Sequence, residues 1–206
     1  MKTMLKDAVI LFIITLVSGL CLGFVHFITE EPIKNAEEKA LNDSYAEVFG
    51  GAESYEVIEG FVNPAESNSM EWESKGYKDV DINKALAAKD NSGNTLGYVL
   101  DVTSHSGYGG DIEFTMGITN EGVLNGISIL SISETAGLGM KAEEVLKPQF
   151  AQKAVPFFEL TKTGSTSDSQ IDAISGATIT SKAVTTAVNA GIDYFSTLNG
   201  GAAYEN

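Results

Sequence analysis

Between Ala8 and Thr29 the chain reads AVILFIITLVSGLCLGFVHFIT, 22 positions without Asp, Glu, Lys or Arg. At about 1.5 Å of rise per residue, a helix of this length covers the roughly 30 Å hydrocarbon core of a bilayer. A cleaved signal peptide has a shorter apolar region of about 7–15 residues and a small-residue exit, and this run ends HFITEEP. A lipoprotein signal needs a small residue directly before its cysteine, where SGLC places Leu20. The run therefore reads as an uncleaved single-pass anchor. Lys2 and Lys6 precede it and Glu30 and Glu31 follow. That bias puts the N-terminus in the cytoplasm and the remainder outside the inner (cytoplasmic) membrane.

Charge narrows what the rest can bind. The net charge is −15, and all 13 basic residues are Lys. No basic patch can be assembled to neutralise phosphates, so nucleic acid is excluded as a partner. The lone Cys21 lies inside the apolar run, and His26 and His105 are far apart. Neither a disulfide framework nor a zinc site is expected.

Beyond the anchor (1–30), a helical connector is expected over 31–50, opened by Pro32 and closed by the Gly50–Gly51 pair. A domain follows over 51–200, with a fraying tail at 201–206. Residues 54–81 have little pattern and read as a surface loop, with Trp72 as a packing anchor. From 84 to 133, apolar and β-branched segments are split by NSGN, SGYGG and NEG. This predicts an antiparallel meander. Ile112, Phe114, Met116 and Ile118 share one face of its third strand. KAEEVLKPQF predicts a short helix closed near Pro148, TKTGSTSDSQ a loop, and a last helix runs from about Thr180 to Leu198. Its buried face is Val184, Ala187, Val188, Ile192 and Phe195. The fold class is α+β: an N-terminal transmembrane helix, then a meander sheet with flanking helices.

Three stretches carry chemistry. SGATITS, Ser175–Ser181, offers four hydroxyls where a helix N-cap needs one. Gly176 permits a tight turn, Ala177 is small, and Thr178 is displayed just ahead of a helix whose free N–H groups and dipole suit a phosphate. Lys182 adds charge within the first turn. Local physics thus favours a phosphate at or beside Thr178, with Ser175 and either Thr180 or Ser181 left to hold the loop and cap the helix. ETAGLG, Glu134–Gly139, puts two glycines directly after the last strand. It is either a nest of N–H groups for an anion or ring carbonyl, or a plain strand-to-helix turn. SHSGYGGDI reads as a hairpin turn.

In this order behind one anchor, GYGGDI, ETAGLG and SGAT followed by IT resemble RnfG, the FMN-binding component of the Rnf ion-translocating electron-transport complex. A relative is NqrC, the corresponding component of the sodium-translocating NADH:quinone reductase. The resemblance covers nearly the whole chain. It implies an extracytoplasmic domain carrying FMN covalently, its phosphate esterified to Thr178 by a flavin transferase that reads the box and the upstream Asp172. It also implies that Ser175, Gly176, Ala177, Thr180, Lys182, Glu134, Thr135, Gly137, Leu138 and Gly139 surround the flavin. The family usually has Pro where Ala136 stands. No general acid, base or nucleophile constellation is visible, so no independent catalysis is expected. The implied role is an electron relay among the other membrane and redox subunits of a translocase coupling ferredoxin/NAD electron transfer to Na⁺ or H⁺ movement. The alternatives are the quinone-reductase component, a membrane-anchored flavin-binding or sensory module that relays no electrons, and a structural anchor without cofactor.

Overall fold

The structure, a computed structural model, describes residues 2–198; the tail set at 201–206 lies outside the described residues. The chain divides into two units at the Asn42–Asp43 bond. The first consists of helix α1 (Lys2–Val48) up to Asn42. Its most apolar window has a mean hydropathy of 2.7, with none of that window buried in the protein. The two threonines of the span are satisfied within the helix. The Thr15 hydroxyl donates to Leu11 O at 3.1 Å and that of Thr29 to Val25 O at 2.9 Å, as a lipid environment demands. Pro32 opens no second helix: it lies inside α1. Its ring removes one donor, to the Ile28 carbonyl, and the flanking turns carry the helix across. A Glu30–Lys34 pair at 2.8 Å, one turn apart, straddles it.

The second unit is built on a five-stranded antiparallel sheet in chain order. Its strands are β1 (Ser54–Val57), β2 (Val80–Lys89), β3 (Thr95–Ser104), β4 (Ile112–Thr119) and β5 (Leu124–Ile132). The face expected of the third strand of the meander, β4, is the one it buries. Ile112, Phe114, Met116 and Ile118 are all fully buried. They form a core with helix α5 (Thr178–Leu198), whose Val184, Ala187, Val188, Ile192 and Phe195 are buried as well. Gly191 of α5 rests directly on Met116, which sets the close approach of helix to sheet. The other sheet face takes the last turn of α1: the Val48 carbonyl sits over Gly117, the Phe49 ring over Gly97, and the Tyr45 hydroxyl donates to Asp101 at 2.8 Å.

Three stretches of this unit depart from the sequence reading. The stretch read as a loop over 54–81 contains the edge strand β1 and two short helices, α2 (Pro64–Ser67) and α3 (Ser69–Ser74). Asn63 caps α2 by accepting from the Ala65 N–H at 3.1 Å, with Pro64 in the first turn. Trp72 is the packing anchor expected, its indole N–H donating to Val80 O at 2.8 Å. KAEEVLKPQF gives the short helix expected, α4 (Ala142–Val145), closed ahead of Pro148, with a 3-10 turn at Lys147–Phe150. Two three-residue strands, β6 (Glu159–Thr161) and β7 (Gln170–Asp172), pair in parallel on either side of the Gly/Ser/Thr loop. Finally, α5 begins at Thr178 rather than Thr180.

Candidate functional site

The segment leading into α5 is held by its own backbone and one hydroxyl. The Ala177 N–H donates to Ile174 O at 3.0 Å, and Gly176 has φ +79°. With Ser175 not in the positive-φ region, this is a type II turn, whose third position needs glycine. Ser181, fully buried, straps the turn closed: its Oγ accepts from the Ile174 N–H at 2.9 Å and donates to Ala177 O at 2.9 Å. Ser181 therefore holds the loop, as expected. The helix has no hydroxyl cap: the residue before Thr178 is Ala177, and Thr180 sits inside the first turn. The N–H groups of Thr178, Ile179 and Thr180 consequently have no acceptor among the described residues.

ETAGLG forms a second turn of the same type. The Leu138 N–H donates to Thr135 O at 3.1 Å, and Gly137 has φ +78°. Ala136 occupies the second position, the one that favours Pro.

The two turns face each other across a cleft of about 510 Å³. It is lined by Glu134, Thr135, Leu138, Gly139, Gly176, Ala177, Thr178, Ile179 and Thr180, with Tyr108 from the β3–β4 loop. Three contacts lock these segments together. Glu134 Oε1 accepts from the Tyr108 N–H at 2.7 Å. Gly139 is wedged so tightly that an added Cβ would lie 2.7 Å from Glu134 Cβ and 2.7 Å from Thr180 Oγ1. Leu138 Cδ2 packs 3.1 Å from the corresponding point on Gly176. At the root of the β3–β4 loop, His105 is clamped between Asp81 and Asp111, each at 3.0 Å, and these two carboxylates hold its imidazole above its ordinary pKa.

Eight of the eleven residues singled out in the sequence thus line one cleft. Ser175 and Gly137 belong to the turns behind the lining. Lys182 opens onto a neighbouring cleft of about 290 Å³ with Asp79, Ser106 and Thr186, which meets the first at Ile179. On the helix Lys182 lies four residues from Thr178 and so on its face. Sequence reasoning passed over two lining residues. Tyr108, 71% exposed, was absorbed into a hairpin turn, although an aromatic between glycines is itself a signal. Ile179 is a half-exposed apolar residue between two threonines.

The arrangement fits a phosphorylated, partly apolar ligand. Its volume falls within the roughly 300–1,000 Å³ of cofactor pockets. Three unpaired N–H groups sit at the positive end of a 21-residue helix, where an anion is stabilised. The Thr180 hydroxyl lines the cleft without a hydrogen-bond partner among the described residues, although the residue is only 1% exposed. Leu138, Ile179 and the Tyr108 ring supply apolar surface at the rim.

Comparisons with known proteins bear on the same segments. The profile of the FMN-binding domain matches residues 107–193, and that of the RnfG N-terminal region matches residues 1–48. The G subunit of the Na⁺-translocating ferredoxin:NAD⁺ oxidoreductase complex of Acetobacterium woodii is 31% identical over 201 residues, covering 96% of this chain and 94% of that one. The G subunit of the proton-translocating ferredoxin:NAD⁺ oxidoreductase complex of Clostridium ljungdahlii is 30% identical over 186 residues, covering 90% and 88%. The crystal structure of Shewanella oneidensis NqrC superposes with a TM-score of 0.47 at 18% identity, over 59% of this chain and 62% of that one.

Proposed function

Since the chain belongs to the RnfG family of ion-translocating oxidoreductase complexes, we propose that it is a membrane-anchored flavoprotein relaying electrons within such a complex, with FMN esterified to Thr178. The complex couples ferredoxin/NAD electron transfer to Na⁺ or H⁺ translocation. This chain is one relay in that translocase and has no separate catalytic reaction. Lys2 and Lys6 against Glu30 and Glu31 favour a cytoplasmic N-terminus and an extracytoplasmic domain in the inner membrane.

The observation that carries the reading is the meeting of three motifs, distant in sequence, around Thr178. Bound FMN supplies reversible transfer of one or two electrons. The first-turn N–H groups of α5 take the phosphate, and Lys182 lends charge from one turn on. Glu134, Thr135, Leu138, Gly139 and Thr180 form the wall that faces the rest of the ligand. Tyr108 and Ile179 cover it from the rim and limit water. A phosphoester leaves the ring system unmodified, so its potential is set by these neighbours.

Thr178→Ala tests the attachment. Thr178 is half-buried and makes no hydrogen bond through its side chain among the described residues. Its loss therefore costs no more than about 1 kcal/mol of stability. Intact mass of the protein from its host should show FMN less one water on the wild type and nothing on the variant, with both folded. An added mass that persists on Thr178→Ala would refute the site.

A further inference from the structure

Gln149 has no part in the cleft, yet it makes three hydrogen bonds through one amide. Its Nε2 donates to Val145 O at 2.6 Å and to Asp172 O at 3.1 Å, and its Oε1 accepts from the Asp172 N–H at 2.7 Å. Successive residues of a strand point their N–H and C=O groups to opposite sides. The Ala173 N–H goes to Thr161 O of β6 at 2.8 Å, so the backbone groups of Asp172 face the open edge of β7. There the Gln149 amide binds both, as a neighbouring strand would. Orphaned backbone groups at a half-buried edge are costly, which gives the clamp its strength.

Asp172 is the last residue of β7, and the acceptor loop starts at the next position. From there Thr161, Ser181 and the turn bond fix Ala173, Ile174 and Ala177 in succession. The chain from Asp172 to Thr178 is thus pinned at both ends, by Gln149 at the upstream end and Ser181 at the downstream end. The Asp172 side chain is half-buried, and its Oδ2 accepts from the exposed Ser165 hydroxyl at 3.0 Å.

We infer that Gln149 is a positioning residue for flavin attachment: by clamping the backbone of Asp172 it presents that carboxylate and the Thr178 hydroxyl in fixed register to the transferring enzyme. This rests on the covalent reading above. In the step served, Thr178 Oγ bonds to the flavin-side phosphorus of a flavin dinucleotide, and the anhydride P–O–P bond breaks. The nucleoside monophosphate leaves and the hydroxyl proton passes to a base of the transferase. No electrons change hands.

The test uses the whole chain, made without a flavin transferase, purified in detergent, and then incubated with the transferase and flavin adenine dinucleotide. Mass gain is followed over time, at a temperature where melting curves show each variant folded. Gln149→Ala should lower the rate at least tenfold per folded molecule. Gln149→Glu is a second handle, serving if the alanine variant does not fold. As a carboxylate it accepts from Asp172 but repels its carbonyl, whereas as a neutral acid it can make both bonds. Its rate relative to wild type should therefore rise as pH falls, which a role confined to stability would not produce in fully folded protein. Wild-type rates for the alanine variant, or a pH-independent ratio for the glutamate variant, would overturn the inference. Absence of mass gain on the wild type would instead overturn the covalent reading itself, with Thr178→Val as the blank.

Discussion

Gly139→Ala adds one methyl group at the point where the two cleft turns meet. The backbone there lies outside the left-handed region, so alanine meets no conformational barrier. Intrinsic preference even favours it in the 3-10 turn Gly139–Lys141, by up to about 1 kcal/mol. Against this stand three contacts: Glu134 Cβ at 2.7 Å, Thr180 Oγ1 at 2.7 Å and Glu134 Oε2 at 2.8 Å. None is the free end of an exposed chain. Thr180 is buried in α5, and Glu134 is held by its bond to Tyr108 N–H. Overpacking of this kind costs roughly 1–3 kcal/mol. Three such contacts at once put the cost in the upper part of that range, about 2–3 kcal/mol, so the steric effect outweighs propensity and leaves a net loss of about 1–2 kcal/mol. In a domain of this size that lowers the melting temperature by roughly 2–8 °C. Thr180→Ser keeps the offending oxygen while Thr180→Ala removes it. A double-mutant cycle by thermal melting should thus show Gly139→Ala partly relieved by Thr180→Ala and not by Thr180→Ser. The flavin absorption spectrum should shift in the single variant, because the wall of the cleft moves. A Gly139→Ala protein with wild-type melting temperature and spectrum would show that the turns are not in contact.

Three further outcomes follow from other parts of the molecule. Ala136→Pro places proline at the second position of the type II turn and should stabilise the domain by about 0.4–1 kcal/mol, seen as a higher melting temperature; a lower one would contradict the turn geometry. Asp101 is pushed up to about 6 by burial, against the opposing hydrogen bond from Tyr45 and the charge of Lys84. The folded protein then holds this proton more tightly than the unfolded chain does, so this group's contribution falls as pH rises from about 4 to about 6, by about 3 kcal/mol in all. The stability of Asp101→Asn relative to wild type should rise across that window in denaturant titrations, and a constant difference would refute it. Protease added to intact spheroplasts should remove the domain; digestion only in inverted vesicles would reverse the proposed orientation.

Much of this protein is local in origin and therefore visible in the chain. An uncharged run of 22 residues states its own length requirement, the long strands announce themselves as apolar, β-branched runs between turn formers, with a clean period of two in β4, and α5 does so by a period of 3.6. Those signals arise because one face of each element meets core, whatever the partner. Elements held by partners and not by periodicity were invisible. Strand β1 is four residues at a sheet edge, and β6 and β7 are three each, too short to show alternation. Thr180 shows the same limit at the site. By local pattern a hydroxyl at a helix mouth reads as a cap; the family resemblance set Thr180 beside the flavin, and the cleft lining and the packing of Gly139 against Oγ1 show the contacts that put it there. Residue order thus specified an apolar span, a meander and a hydroxyl-rich turn ahead of a helix. Tertiary packing was needed to bring Tyr108, Glu134 and Thr178 to one cleft and to set Gln149 in the place of a strand. Such contacts join residues tens of positions apart through single hydrogen bonds and close packing, which impose no repeating pattern on the chain.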